Sequence, residues 1–188
     1  MGRRIRMEVI GLALDSSSNT PIVLLREVLG ERLLPIWIGV IEASAIAFEL
    51  EKVQVARPLT HDLLLQTIDA LDARLISVSI TDLKENTYFA ELRVAGPSSE
   101  LSLDARPSDA LALALKARVP IDCEEEVLER VRGLADMSEV RMALSTADAE
   151  KSKSEENEGP RIIALQNGPE LSHVLETLAE RDFGKYKM

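Results

Sequence analysis

Apolar and polar residues alternate with a period of two over 4–14 (RIRMEVIGLAL) and stay apolar over 21–27 (PIVLLRE), and the polar run DSSSNT separates them. Two strands joined by a turn are predicted, followed by a third at 31–38 (ERLLPIWI). The spacing then changes. VIEASAIAFELEKV (40–53) places small and apolar residues on one helical face. PLTHDLLLQTIDAL predicts a second helix with Thr60 as its cap. The pattern then restarts. RLISVSITDL (74–83), TYFAELRV (87–94) and ELSLDA (100–105) read as strands, with KEN as a tight hairpin turn. PSDALALALKAR (107–118) is a helix with Pro107 in its first turn. DCEEEVLERV (122–131) predicts a short final helix, with Asp122 and Glu125 at capping-box spacing.

The chain therefore spells strand-strand-strand-helix-helix twice. At an offset of 67 residues EASAIAF (42–48) lies over DALALAL (109–115), and both read acid-Ala-x-Ala-aliphatic-Ala-apolar. Arg26 falls over Arg93 at the same offset, and RPLTHD (57–62) falls over VPIDCE (119–124) at 62. One such unit is too small to bury a core, so two would share one. The expected fold is α+β: a duplicated unit forming one mixed or barrel-like sheet flanked by helices, over residues 1–132. Residues 133–160 are charged and aperiodic, as in a flexible acidic linker. The stretch 161–188 offers RIIALQ as a short strand or docking segment, and an amphipathic helix at 169–183.

Composition changes this picture in three ways. A net charge of −10 sets the whole-molecule field against nucleic acid and anionic membranes, and 3% aromatic residues leave few stacking platforms for bases. Cys123 is the lone cysteine, which excludes an internal disulfide and reads as a packed thiol. No apolar run reaches membrane-spanning length, which predicts a soluble, cytoplasmic protein. Walker, Gly-x-Gly-x-x-Gly, His-Glu-x-x-His and Gly-x-Ser-x-Gly signatures are absent from the sequence.

Two polar clusters remain. In DARPSD (104–109) the equivalent turn of the first unit, WIGVIE (37–42), has no charge before Glu42. Turn geometry alone therefore does not demand Asp104 or Arg106. Asp104 alternates away from Leu101 and Leu103 and should leave the core face. Arg106 opposes the helix dipole, and is tolerable if it pairs with Asp104 or Asp109 or binds an anion. RPLTHD gathers Arg57, Thr60, His61 and Asp62 at a helix start. His61 is a candidate general base.

LPIWIG with EASAIA, RPLTHDLL, ITDL with TYFAEL, and DARPSDALALAL occur in the order and spacing of the bifunctional nuclease family, which residues 7–130 resemble. The resemblance implies cleavage of both RNA and DNA. Candidate roles follow from chemistry. His61, Asp62, Asp104 and Asp109 are candidate catalytic groups, and Arg57, Arg106, Thr60 and Ser108 are candidate phosphate contacts. Asp104, Asp109, Asp62 and Glu42 are the acids available to hold magnesium or manganese. A base acting on the ribose 2′-hydroxyl cannot cleave DNA, so activity on both substrates favours metal. The competing class is a non-catalytic interaction or regulatory domain. On either reading a homo-oligomer is expected, built through sheet edges or alanine-rich helix faces.

Overall fold

The computed structural model describes residues 2–15 and 18–134. In chain order the elements are β1 (Arg4–Leu14), β2 (Pro21–Glu27), β3 (Leu33–Trp37), α1 (Val40–Leu50), α2 (Thr60–Ala70), β4 (Arg74–Lys84), β5 (Thr87–Ala95), β6 (Glu100–Ala105), α3 (Pro107–Ala117), β7 (Ile121–Glu124) and α4 (Glu125–Leu134). The expected linker and C-terminal strand and helix lie almost wholly outside the described residues.

One mixed sheet runs in the order β3-β2-β1-β7-β4-β5-β6. Two antiparallel meanders, β1-β2-β3 and β4-β5-β6, flank the short β7, which is antiparallel to β1 and parallel to β4. The sheet is open, with β3 and β6 as edges, so the barrel-like form is not realised. The continuous apolar run of β2 is explained by burial on both faces. Val23 and Leu25 enter the main core, while Ile22 and Leu24 pack with Ala13 on the reverse face. Glu85 and Asn86 both have positive φ, which makes the β4–β5 hairpin turn as KEN predicts.

The element order repeats as far as the first helix of each unit and then diverges. Where a second helix is predicted at 122, the chain makes β7. Ile121 and Cys123 are buried, and Asp122 and Glu124 alternate outward to pair with Arg6 and Arg4 of β1, each at 2.8 Å. Cross-strand pairing thus wins over the Asp122–Glu125 capping box, and α4 begins only at Glu125. The proposed duplication therefore finds no support at the second helices. Within α2 the N-cap is Leu59, and Thr60 is the first helical residue. The Asp62 carboxylate performs the reciprocal half of a capping box, accepting the Leu59 N–H at 2.8 Å.

Alanine decides how the helices sit. α3 buries Ser108, Ala110, Leu111, Ala112, Leu113 and Ala114, so it is apolar nearly all round its axis. It lies between the sheet at β4 and β5 and the helices α1 and α2. Ala43 and Ala47 of α1 are buried in the same core, and small side chains let the two helices approach closely. Cys123 is buried with no exposed surface, and burial pushes its thiol pKa up to about 12. It is a packing residue, as expected.

Candidate active site

Close packing of α1, α2 and α3 brings their polar ends together. Glu42 and Glu49 stand two turns apart on α1, and Asp109 and Lys116 stand two turns apart on α3. The first turn of α2 supplies His61 and Asp62. These six side chains and Arg106, the N-cap of α3, form one seam of ion pairs.

Arg106 holds the outer half. Its Nε and Nη2 donate to the two Asp109 oxygens at 2.7 and 3.2 Å, a forked grip, while Nη1 donates to Glu42 Oε1 at 2.7 Å. Glu42 and Asp109, which align at the 67-residue offset, thus converge on one guanidinium. Three N–H groups are used, and the remainder are available to an anion because the Arg106 side chain is 64% exposed. Both acids hold the guanidinium in its charged form: its hydrogen bonds to Asp109 and then Glu42 raise its pKa. The macrodipole conflict expected for Arg106 is met by Asp109 in the first turn of α3 and by Glu42 from the start of α1. Glu42 also folds over Gly39, the N-cap of α1, where a Cβ would collide with its carboxylate.

His61 Nε2 lies 3.2 Å from Asp109 Oδ1. Burial by itself would raise the Asp109 pKa, but hydrogen bonds from Arg106 and His61 outweigh it and hold the carboxyl below its usual range. An ionised carboxylate only accepts, so this contact requires a proton on His61 Nε2, and in the neutral ring the lone pair then lies on Nδ1. The His61 side chain is 15% exposed. A histidine oriented by a carboxylate, beside an arginine with spare donors, can move a proton at a phosphate ester.

The inner half is built on Lys116. Its Nζ takes Asp62 Oδ1 at 2.7 Å and Glu49 Oε1. The Lys116 hydrogen bond is the largest influence lowering the Asp62 pKa. Burial opposes the charge on Lys116, yet Asp62 and Glu49 together raise its pKa. Neither Glu49 nor Lys116 was a candidate from sequence. Their only signal is the seven-residue spacing from Glu42 and Asp109.

The structure therefore joins Glu42, His61, Asp62, Arg106 and Asp109, and leaves the other candidates out. Asp104 stands opposite Glu91 on the edge strand β6, exposed and with no hydrogen bond or ion pair among the described residues. It does leave the face of Leu103, as alternation requires, and for that reason it points away from the helices that carry the seam. Leu101 and Leu103 sit opposite Val94 and Leu92 on the core-facing side, yet remain 51% and 45% exposed at the sheet edge. Arg57 and Thr60 are exposed on the α2 approach, and Ser108 is buried within α3. The expected metal ligands are not assembled. Among the described residues no three His, Cys, Asp or Glu side chains gather as a metal-holding group. Glu42 and Asp109 are paired with Arg106, and Asp62 with Lys116.

A family model described as the bifunctional nuclease domain matches residues 23–135. An uncharacterized protein of Mycobacterium tuberculosis is 47% identical over 122 residues, 65% of this chain and 73% of that relative. Bifunctional nuclease 2 of Arabidopsis thaliana is 33% identical over 92 residues, 47% of this chain and 28% of its own length. Bifunctional nuclease 2 of Oryza sativa subsp. japonica is 28% identical over 139 residues, 72% of this chain and 42% of its own length. No helix among the described residues is long and apolar enough to cross a membrane.

Proposed function

Because this chain belongs to the bifunctional nuclease family, we propose that it hydrolyses phosphodiester bonds of RNA and DNA at the α1–α2–α3 seam. The observation that carries this reading is the shared Asp109 carboxylate, which orients His61 with one oxygen and is gripped by Arg106 through both. In the proposed reaction His61 Nδ1 removes a proton from the attacking group, the attacking oxygen bonds to phosphorus as the phosphorus–oxygen bond to the leaving nucleoside breaks, and the proton held on Nδ1 passes to the leaving oxygen. The attacking group is the ribose 2′-hydroxyl in RNA, or a water molecule for either nucleic acid. Arg106 faces the phosphate with its unused N–H groups and offsets charge as phosphorus gains its fifth oxygen. Arg57, exposed and without an ion-pair partner among the described residues, guides the backbone. The net charge of −10 makes such local cations necessary, since the wider field repels the substrate.

Magnesium or manganese assistance has the weakest geometric support, and no step is assigned to a metal. The test is cleavage of short RNA and DNA oligonucleotides by the purified chain, with and without EDTA, beside His61→Ala. The expected result is cleavage that survives EDTA and falls about 100-fold or more in His61→Ala. Cleavage abolished by EDTA and indifferent to His61 would place the chemistry elsewhere.

A second reading, assembly with copies of itself as an interaction domain, is supported by exposed leucines. Leu63, Leu71 and Leu101 are 60%, 68% and 51% exposed. Absence of cleavage together with a concentration-dependent mass in sedimentation would favour it.

A further inference from the structure

Helix α2 carries His61 yet buries none of its side chains fully. Leu65 and Ile68 are half-buried against the core, while Leu63 and Leu64 are exposed. Residues 52–59, which lead into it, are all exposed. An isolated helix of this length is marginal in water and depends on tertiary contacts for its order. Leu65 and Ile68 supply the apolar seat of α2, and polar contacts add to it.

Those contacts concentrate in its first turn. Lys116, with a side chain 11% exposed, extends from α3 to Asp62 of α2 and Glu49 of α1. Asp62 uses its other oxygen for the Leu59 N–H and so fixes the turn's own start. His61 precedes Asp62 in the same turn and reaches Asp109, two turns before Lys116 on α3. The first turn of α2 is therefore pinned to α3 at two points. One is the contact that performs chemistry in the proposed reaction, and the other is an enclosed ammonium that takes no part in it.

We propose that Lys116 is a positioning residue, which seats the first turn of α2 on α3 through Asp62 and thereby holds His61 on Asp109. Removing the ammonium leaves Asp62 and Glu49 near each other without a counter-charge, and their repulsion frees α2. Only the activity arm of the test rests on the nuclease reading.

The experiment compares the wild type with Lys116→Met, which keeps the aliphatic stem. Amide hydrogen exchange followed by mass spectrometry should speed up about ten-fold in residues 60–70 and stay unchanged in 107–117. On oligonucleotide substrate, kcat should fall about ten-fold with KM little altered, and Lys116→Met should add almost nothing to His61→Ala. Unchanged protection of 60–70 overturns the proposal. So does a Lys116→Met effect as large in the His61→Ala background as in the wild type. A wild-type protein that cleaves nothing removes the nuclease reading and leaves hydrogen exchange to decide the positioning role. Should Lys116→Met fail to fold, Asp62→Asn keeps an oxygen for the Leu59 amide and leaves Lys116 on Glu49. The same local loss of protection is then expected, and its absence is equally damaging.

Discussion

Replacing Arg106 by methionine separates holding the fold from handling substrate. The change keeps the stem and removes the contacts to Asp109 and Glu42. The Arg106 side chain is 64% exposed, while Glu42 and Asp109 are 21% and 31% exposed. Solvent therefore screens the pair strongly, and the forked grip on Asp109 is its best-formed part. Exposed pairs contribute about 0.2–1 kcal/mol each, so the two together are worth about 0.4–2 kcal/mol. Asp109 keeps His61 as a partner, which limits the loss. A domain of this size should lose about 1–8 °C in Tm. The effect on cleavage should be larger, because a donor aimed at developing charge is typically worth about 3 kcal/mol, or roughly 100-fold in kcat. Arg106→Lys should recover part of the stability and little of the activity, since a point charge cannot reproduce the fork. The assays are thermal unfolding and cleavage of labelled oligonucleotides at saturating concentration. Arg106→Met cleaving within about three-fold of wild type would refute the phosphate role. A Tm loss above about 15 °C would make Arg106 a structural residue instead.

Asp104→Ala should leave both cleavage and Tm close to wild type, since Asp104 is exposed on β6, opposite Glu91 and away from the seam; a large loss of activity would move the site to the sheet edge. Stability should fall on acidification. The folded pKa values of Asp62 and Asp109 are lowered, by Lys116 and by Arg106 with His61 respectively, so both carboxylates contribute fully above their unfolded pKa and lose that contribution as pH falls through the folded value. Urea unfolding should show a midpoint that is level above about pH 5 and declines below about pH 4, with a shallower decline in Asp109→Asn; equal slopes in the two proteins would contradict the assigned pairing.

The nuclease reading and the self-assembly reading make opposite use of the same helix. α2 exposes Leu63 and Leu64 on its outer side and presents His61 and Asp62 to α1 and α3 on its inner side. A copy of the chain covering the leucines would bury apolar area without touching the seam, so the two readings are compatible. Cleavage and self-association are therefore best measured on the same sample.

Much was legible from residue order alone, and the reason is local. Period-two alternation and apolar runs mark β1, β2, β4 and β5, and alanine-rich helical spacing marks α1 and α3, because each depends on neighbours within a few residues. The motifs RPLTHD and DARPSD marked Arg106, His61, Asp62 and Asp109 as polar clusters at helix starts, and the fold brings the four into one seam. Distant contacts decided the rest. Residues 121–124 became a strand because β1 and β4 offered both edges of a central slot and Arg4 and Arg6 offered charge partners, none of which a local capping rule can see. Asp104 and Asp109 are five residues apart in the chain, but the strand sends the first to one side of the sheet and the helix brings the second under His61. Glu49 and Lys116 acquired a role only when α1 and α3 packed together, since two charges 67 residues apart attract only after the fold has carried them into contact.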